Sequence, residues 1–101
     1  MPKKSSYQKD LIESLKDPHE AAAYLNAAID EKDRAIFLLA LRNVAKAQGG
    51  MASIATKANL NRESLYRMLS KKGNPEIESL YTLLGAMGFR LAVEAESSRA
   101  A

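Results

Sequence analysis

The chain contains no cysteine and a single histidine, and both scarcities narrow the chemistry open to it. Without cysteine there is neither a disulfide framework nor a cysteine-ligated metal site. The histidine, His19, has no second histidine with which to share a metal ion, and we interpret it as a surface residue. We therefore expect no cofactor and no metal, and the missing thiols fit a reducing cytoplasm.

Long apolar runs are missing as well. No stretch approaches the roughly 20 apolar residues that span a bilayer, and no signal peptide is visible at the N-terminus. A phosphate-cradling glycine loop and paired carboxylates in an apolar setting are also absent, so an enzyme is the least favoured class. Asp30, Glu31 and Asp33 are close in sequence, but we interpret them as solvated charges in a polar linker. The expectation is a cytoplasmic, non-enzymatic protein without a membrane partner.

What is present suffices for one small folded domain. The 101 residues are 47% hydrophobic and 27% charged, proportions that are ordinary for a folded protein. We predict a single domain over residues 7–95, with flexible tails over residues 1–6 and 96–101.

The charge is distributed unevenly along the chain. Residues 34–72 contain eight lysines and arginines and one acidic residue, Glu63, whereas the segments on either side carry more acidic than basic residues. A concentration of positive charge attracts phosphate and makes binding depend on salt. The acidic N-terminal third is a poor DNA surface and a reasonable surface for a basic partner.

Residues 51–70 have the pattern of a helix-turn-helix. Ala55 is small enough for two helices to approach closely, and Asn59 falls at the turn, where asparagine tolerates a left-handed backbone. Apolar residues are spaced to lie under the turn, while the second helix carries polar residues on its outer face. Such a motif places one helix in the DNA major groove. A helical hairpin without a DNA role is the plain alternative.

Helices are predicted on both sides of the motif. Residues 7–16 form a short helix, and Asp17 and Pro18 begin another that extends to about Ile29. A third helix runs from about residue 34 to 48. Ile36, Leu38 and Leu39 widen its apolar face, which implies burial on more than one side, either in the core or against a partner. After the motif, residues 77–87 form a helix that packs through Ile77, Leu80, Leu83, Leu84 and Met87.

The end of the chain changes period. Residues 89–94 alternate apolar and polar side chains, which is typical of a strand. An isolated strand is not stable, so we expect two copies to pair across a twofold axis and form the homodimer that palindromic DNA requires. The dimer contacts would be Phe89, Leu91 and Val93; a helix extension or a loose tail is the alternative.

The sequence resembles the addiction-module antidote proteins, HigA-like antitoxins with a Cro/C1-type helix-turn-helix. The resemblance covers about residues 7–95; residues 24–28, Tyr-Leu-Asn-Ala-Ala, are its most discriminating piece, and residues 17–28, 40–47, 62–70 and 73–75 carry it. Asn59 is a small departure, because such proteins often have glycine there. The resemblance implies an all-α, lambda-repressor-like bundle of about five to six helices with a short C-terminal β-strand.

The resemblance also implies the antitoxin of a type II toxin–antitoxin module. The protein would neutralise a small basic toxin of the RelE/HigB class and repress its own operator. The second motif helix would enter the major groove of the double-stranded DNA, with Arg62 and Arg67 as the strongest contributors. The residues predicted to contact bases or flanking phosphates are Asn61, Arg62, Glu63, Tyr66 and Arg67, and those predicted to contact phosphate alone are Ser53, Lys57, Lys71 and Lys72.

Two other functions compete with this one. A stand-alone helix-turn-helix regulator would have no toxin, and its N-terminal helices would serve the core or a dimer surface. A pure interaction module would bind protein and show no salt-dependent binding to its upstream promoter. The presence of a neighbouring toxin gene would distinguish the antitoxin from a stand-alone regulator. Salt-dependent binding to the upstream promoter would distinguish the antitoxin from a pure interaction module.

Overall fold

A computed structural model of the chain describes residues 4–96, with side chains from residue 6 onward. The described residues form an all-helical bundle without a β-strand. None of these helices is long and apolar enough to cross a membrane. The six helices are α1 Lys4–Ser14, α2 Pro18–Asp30, α3 Arg34–Ala47, α4 Met51–Lys57, α5 Arg62–Met68 and α6 Ile77–Ala86.

Short polar side chains start the helices where the sequence predicts. The carboxylate of Asp17 accepts hydrogen bonds from the backbone N–H groups of His19 and Glu20, at 2.8 and 3.4 Å, and Pro18 occupies the first turn of α2. Asp33 begins α3 in the same way. These caps satisfy amide groups that the first turn of a helix leaves without partners.

The helix α3 lies at the centre of the bundle and contacts α1, α2 and α4. Leu41 and Val44 are fully buried on it, as expected for a helix with neighbours on several sides. Its Asn43 is buried too, and that side chain accepts a hydrogen bond from Gln8 of α1 at 3.1 Å and donates one to Tyr24 of α2 at 2.9 Å. The amide therefore ties the first three helices together, and both its oxygen and its nitrogen have hydrogen-bond partners.

The predicted strand over residues 89–94 does not form in the single chain. Within the described part of the chain, residues 89–96 have no regular secondary structure. The first part of the alternating pattern has a different cause, because Phe89 and Leu91 are half-buried against the core and Arg90 between them is exposed. Val93, the third apolar residue of the pattern, is fully exposed. Because a strand is defined by its hydrogen-bonded neighbour, alternation alone does not produce one.

Several apolar residues that the periodicity assigns to the core lie at the surface. Ile77 of α6 is 58% exposed and Ile29 of α2 is 46% exposed. On α3, Ile36 and Leu39 remain 41% and 45% exposed, so the wide apolar face of that helix is not covered completely within the chain. The first helix also begins at Lys4, three residues earlier than predicted. The predicted tails at residues 1–3 and 97–101 lie outside the described residues.

Candidate nucleic-acid interface

The turn between α4 and α5 has the local geometry that the motif predicts. Asn59 adopts a left-handed backbone with φ of 56°. The N–H of Asn59 donates to the carbonyl oxygen of Thr56 at 3.1 Å, and the N–H of Leu60 donates to that of Ala55 at 2.8 Å. This pair of bonds ends α4 by satisfying carbonyl groups of its last turn. Ala55 is buried, which agrees with the predicted close approach of the two helices.

Asn61 begins α5 by capping it. Its side-chain oxygen accepts hydrogen bonds from the N–H groups of Glu63 and Ser64, at 2.8 and 3.2 Å. That oxygen is therefore engaged, and only the amide nitrogen of Asn61 is left to donate to a ligand. Recognition of adenine through both amide atoms would require this cap to open.

One side of α5 is buried and the other faces solvent. Leu65 is fully buried and Met68 is half-buried against the core, so these residues fasten the helix to the bundle. The outward side carries cationic, acidic and aromatic groups, and Tyr66 on it is 50% exposed. The sequence-predicted contacts that share this exposed side are Arg62, Glu63, Tyr66 and Arg67.

The cations of the motif are free to contact an anion. Within residues 6–96 the structure contains one salt bridge, between Lys16 and Glu13 on α1, and it lies outside the motif. Arg67 makes a long hydrogen bond of 3.4 Å to the hydroxyl of Ser64, which leaves most of its guanidinium unoccupied. Unpaired guanidinium groups are well suited to bind phosphate or the O6 and N7 atoms of guanine.

The predicted phosphate contacts lie at both ends of the motif. Lys57 is exposed in the last turn of α4, and Lys71 and Lys72 are exposed in the loop that follows α5. Ser53 is half-buried in α4. Exposed lysines thus precede and follow α5 in the chain, and each is available to contact phosphate.

Two residues that hold α5 in place were not predicted. Arg42 of α3 donates a hydrogen bond of 2.6 Å from Nη1 to the carbonyl oxygen of Leu69, directly after α5. Gly73 lies so close to the Met68 carbonyl that no side chain fits there. The sequence signal for Arg42 was a cation within a mostly apolar helix. Gly73 was singled out only as part of residues 73–75, one of the segments that carry the family resemblance.

The three predicted dimer residues differ in their surroundings. Phe89 and Leu91 pack against the chain's own core, whereas Val93 is 100% exposed. The N–H of Phe89 also donates to the carbonyl oxygen of Leu84 at 2.8 Å and closes the end of α6. Phe89 and Leu91 therefore stabilise the single chain, whether or not a second copy contacts them.

The chain is similar to known proteins over most of its length. The chain is 33% identical over 85 residues to an uncharacterized protein of Haemophilus influenzae (strain Rd), an alignment that covers 84% of this chain and 87% of the relative. The comparison with solved structures gave no significant match. A family described as "Probable addiction module antidote protein" matches residues 5–95, nearly the whole described region. The chain belongs to this family of addiction module antidote proteins.

Proposed function

We propose that the protein is the antitoxin of a type II toxin–antitoxin module, that it neutralises a small RelE/HigB-type toxin, and that it represses its own operator. Membership of the antidote family supports the first part. The helix-turn-helix geometry of α4 and α5, of the Cro/C1 type by resemblance, supports the repression of the operator. The observation that best supports the proposal is the outward side of α5, where two arginines and a tyrosine are exposed. Among the described residues, neither arginine forms a salt bridge with a carboxylate.

Each side chain on α5 has a role that follows from its chemistry. Arg62 and Arg67 bind guanine edges or flanking phosphates, and loss of one base-contacting arginine costs about 1–3 kcal/mol of binding free energy. Tyr66 places its ring on a thymine methyl group or its hydroxyl on phosphate. Glu63 accepts from a cytosine amine or complements the helix dipole in the first turn of α5. Asn61 keeps its capping bond and donates to phosphate through its amide nitrogen.

Repression of a palindromic operator requires two copies of α5. Dimeric helix-turn-helix proteins bind half-sites about 34–36 Å apart along one face of the duplex. We propose that the protein binds its operator as a homodimer on this ground. Contact through Phe89, Leu91 and Val93 stays a prediction, and Val93 is the accessible member of the three.

The DNA part of the proposal is tested by titrating the protein onto its own upstream DNA in an electrophoretic shift assay. We expect a specific shift with the wild-type protein and its loss in the double variant Arg62→Ala/Arg67→Ala. The matched control is Lys9→Ala/Lys16→Ala, which removes the same charge from exposed positions outside the motif and outside the predicted dimer contacts. That control should retain the specific shift.

Two results would contradict the repressor assignment. If the folded wild-type protein gives no specific shift, α5 does not recognise the operator. If both double variants lose binding equally, total charge and not the helix is responsible. A specific shift from a protein that does not bind the product of any neighbouring toxin-sized gene would favour the stand-alone regulator over the antitoxin.

A further inference from the structure

A groove lies between α2 and the C-terminal segment of residues 89–96. Its volume is about 550 Å³, enough to receive several side chains of a partner. Apolar side chains form a large part of its lining: Leu25 and Leu84 are buried, Phe37 is half-buried, and Ile29 is 46% exposed. Exposed isoleucine beside a concave apolar surface is typical of a binding site for another chain.

The rim of the groove is acidic. Asp30, Glu94 and Glu96 line it and are exposed, whereas Arg90 is the one basic residue among the residues that line it. An apolar floor with carboxylates around it complements a segment that carries both apolar and basic side chains. The charge of the groove is thus opposite to that of the segment 34–72, which carries the helix-turn-helix.

The backbone beside the groove has N–H and C=O groups that form no hydrogen bond with other backbone groups of the described chain. Within residues 4–96, the last backbone hydrogen bond along the chain is that of Phe89 to Leu84, and residues 90–96 take part in none. Their N–H and C=O groups can pair with an incoming chain, which is the way many domains bind extended segments.

We propose that this groove is the docking site for a basic segment of the cognate toxin, an inference that rests on the antitoxin function proposed above. Charge favours the toxin over a second copy of this chain. Two copies meeting groove to groove would bring their acidic rims together, and like charges oppose association. A second copy could offer its basic α4 and α5 instead, but those helices would then be lost to DNA.

The groove shares no residue with the DNA-contacting surface. Its lining comes from residues 22–37 and 84–96, whereas the predicted DNA contacts lie between residues 53 and 72. The toxin segment and the operator would therefore contact different residues. Phe89 and Leu91, two of the three predicted dimer contacts, do line the groove, whereas Val93 does not. A groove variant that keeps all three residues should leave operator binding by the antitoxin alone intact.

The test uses the purified product of the neighbouring toxin-sized gene and isothermal titration calorimetry. The groove variant is Asp30→Lys/Glu94→Lys, and we expect its Kd for that protein to rise at least tenfold. The control is Asp10→Lys/Glu13→Lys, which makes the same charge change on exposed positions of α1 and disturbs a single surface ion pair. That control should change the Kd by less than threefold. In the wild-type complex, amide hydrogen exchange of residues 90–96 should slow.

The outcomes separate this inference from the function on which it rests. If the wild-type protein binds the toxin and the groove variant binds equally well, the docking site is wrong and the antitoxin function stands. Equal weakening in both charge-reversed proteins would assign the effect to net charge and overturn the site as well. If the wild-type protein does not bind, both proposals fail. A groove variant that loses self-association while keeping its toxin affinity would assign the groove to a second copy.

Discussion

At the scale of single residues, the two asparagines of the motif turn serve different purposes. Asn59 provides a left-handed backbone, with φ of 56°, which costs asparagine less than most other residues. Asn61, two positions later, has an extended backbone and caps α5 with its side-chain oxygen. The same residue type thus has two roles in this turn: Asn59 tolerates an unusual backbone conformation, and Asn61 supplies a hydrogen-bond acceptor.

Two glycines give opposite predictions on substitution by alanine. In Gly73→Ala, the added Cβ collides with the carbonyl oxygen of Met68, a backbone atom that cannot rotate away. We expect a loss of about 1–3 kcal/mol in the free energy of unfolding, as overpacking usually costs. Gly85 lies within α6, and nothing stands within 4 Å of an added Cβ. Gly85→Ala should therefore stabilise the protein by about 0.5–1 kcal/mol.

Thermal unfolding followed by circular dichroism measures both changes. A domain of this size shifts its Tm by about 4–8 °C per kcal/mol, so the two variants should move apart on either side of the wild type. A Gly73→Ala protein with unchanged Tm would mean that the turn after α5 relaxes without cost.

At the scale of elements, α5 depends on its neighbours. A helix of seven residues is not stable alone in water, and α5 has its main helix contact with α4. Asn61 caps the beginning of α5, and Leu65 packs its buried side against the core. Arg42 donates a hydrogen bond to the backbone directly after its end. The orientation of the exposed arginines therefore depends on a residue of α3 that lies 27 positions away from Leu69 along the chain.

Because α5 depends on Arg42, we predict that Arg42→Met weakens operator binding although Arg42 itself contacts no base. The Leu69 carbonyl loses a charged donor, a bond of a kind that contributes about 1.5–3 kcal/mol. We expect a lower Tm and weaker binding to every operator sequence tested, because the whole helix shifts. Arg42→Lys keeps a cation and should recover part of both losses.

The matched control for Arg42 is Arg34→Met, an exposed position at the start of the same helix. Shift assays on the operator and on single-base operator variants distinguish the possible roles. Loss of discrimination at one base pair alone would show that Arg42 contacts DNA directly and does not position α5.

At the scale of the whole molecule, the proposed function assigns basic and acidic residues to two different partners. The basic residues concentrate in the segment that forms α3, α4 and α5, and the acidic groove is built from α2 and the end of the chain. This division fits a protein that must hold a polyanion and a basic protein without one blocking the other.

The charge division predicts the salt dependence of operator binding. The logarithm of the association constant falls linearly with the logarithm of salt concentration, with a slope of about 0.9 per phosphate contact. Lys71→Ala/Lys72→Ala should weaken binding to all sequences alike and make that slope shallower by about 2. The control Lys9→Ala/Lys16→Ala removes the same charge from an exposed position on α1 and one just after it, and it should leave the slope unchanged. If the wild type, Lys71→Ala/Lys72→Ala and the control all have the same slope, Lys71 and Lys72 do not contact phosphate.

Much of this protein follows from its sequence because the deciding interactions are local. Asp17 begins a helix and Asn59 ends one, and each acts on groups within a few positions of itself, so one sequence is enough to place them. Asp33 caps α3 by equally local bonds, although the sequence indicated only a solvated linker charge there. The charge distribution is equally a property of the sequence. Family membership agrees with the resemblance carried by residues 7–95.

The tertiary structure decided what depends on contacts distant along the chain. Periodicity gives an apolar face but does not show what covers that face. Ile29 and Ile77 were expected to pack, and Ile36 to be buried in the core or against a partner, yet all three are exposed in the described structure. The strand over residues 89–94 failed for the same reason, since a strand needs a partner that the alternating pattern does not provide. The bond from Arg42 to Leu69 and the groove beside α2 exist only once the helices pack, because each joins residues that the sequence keeps far apart.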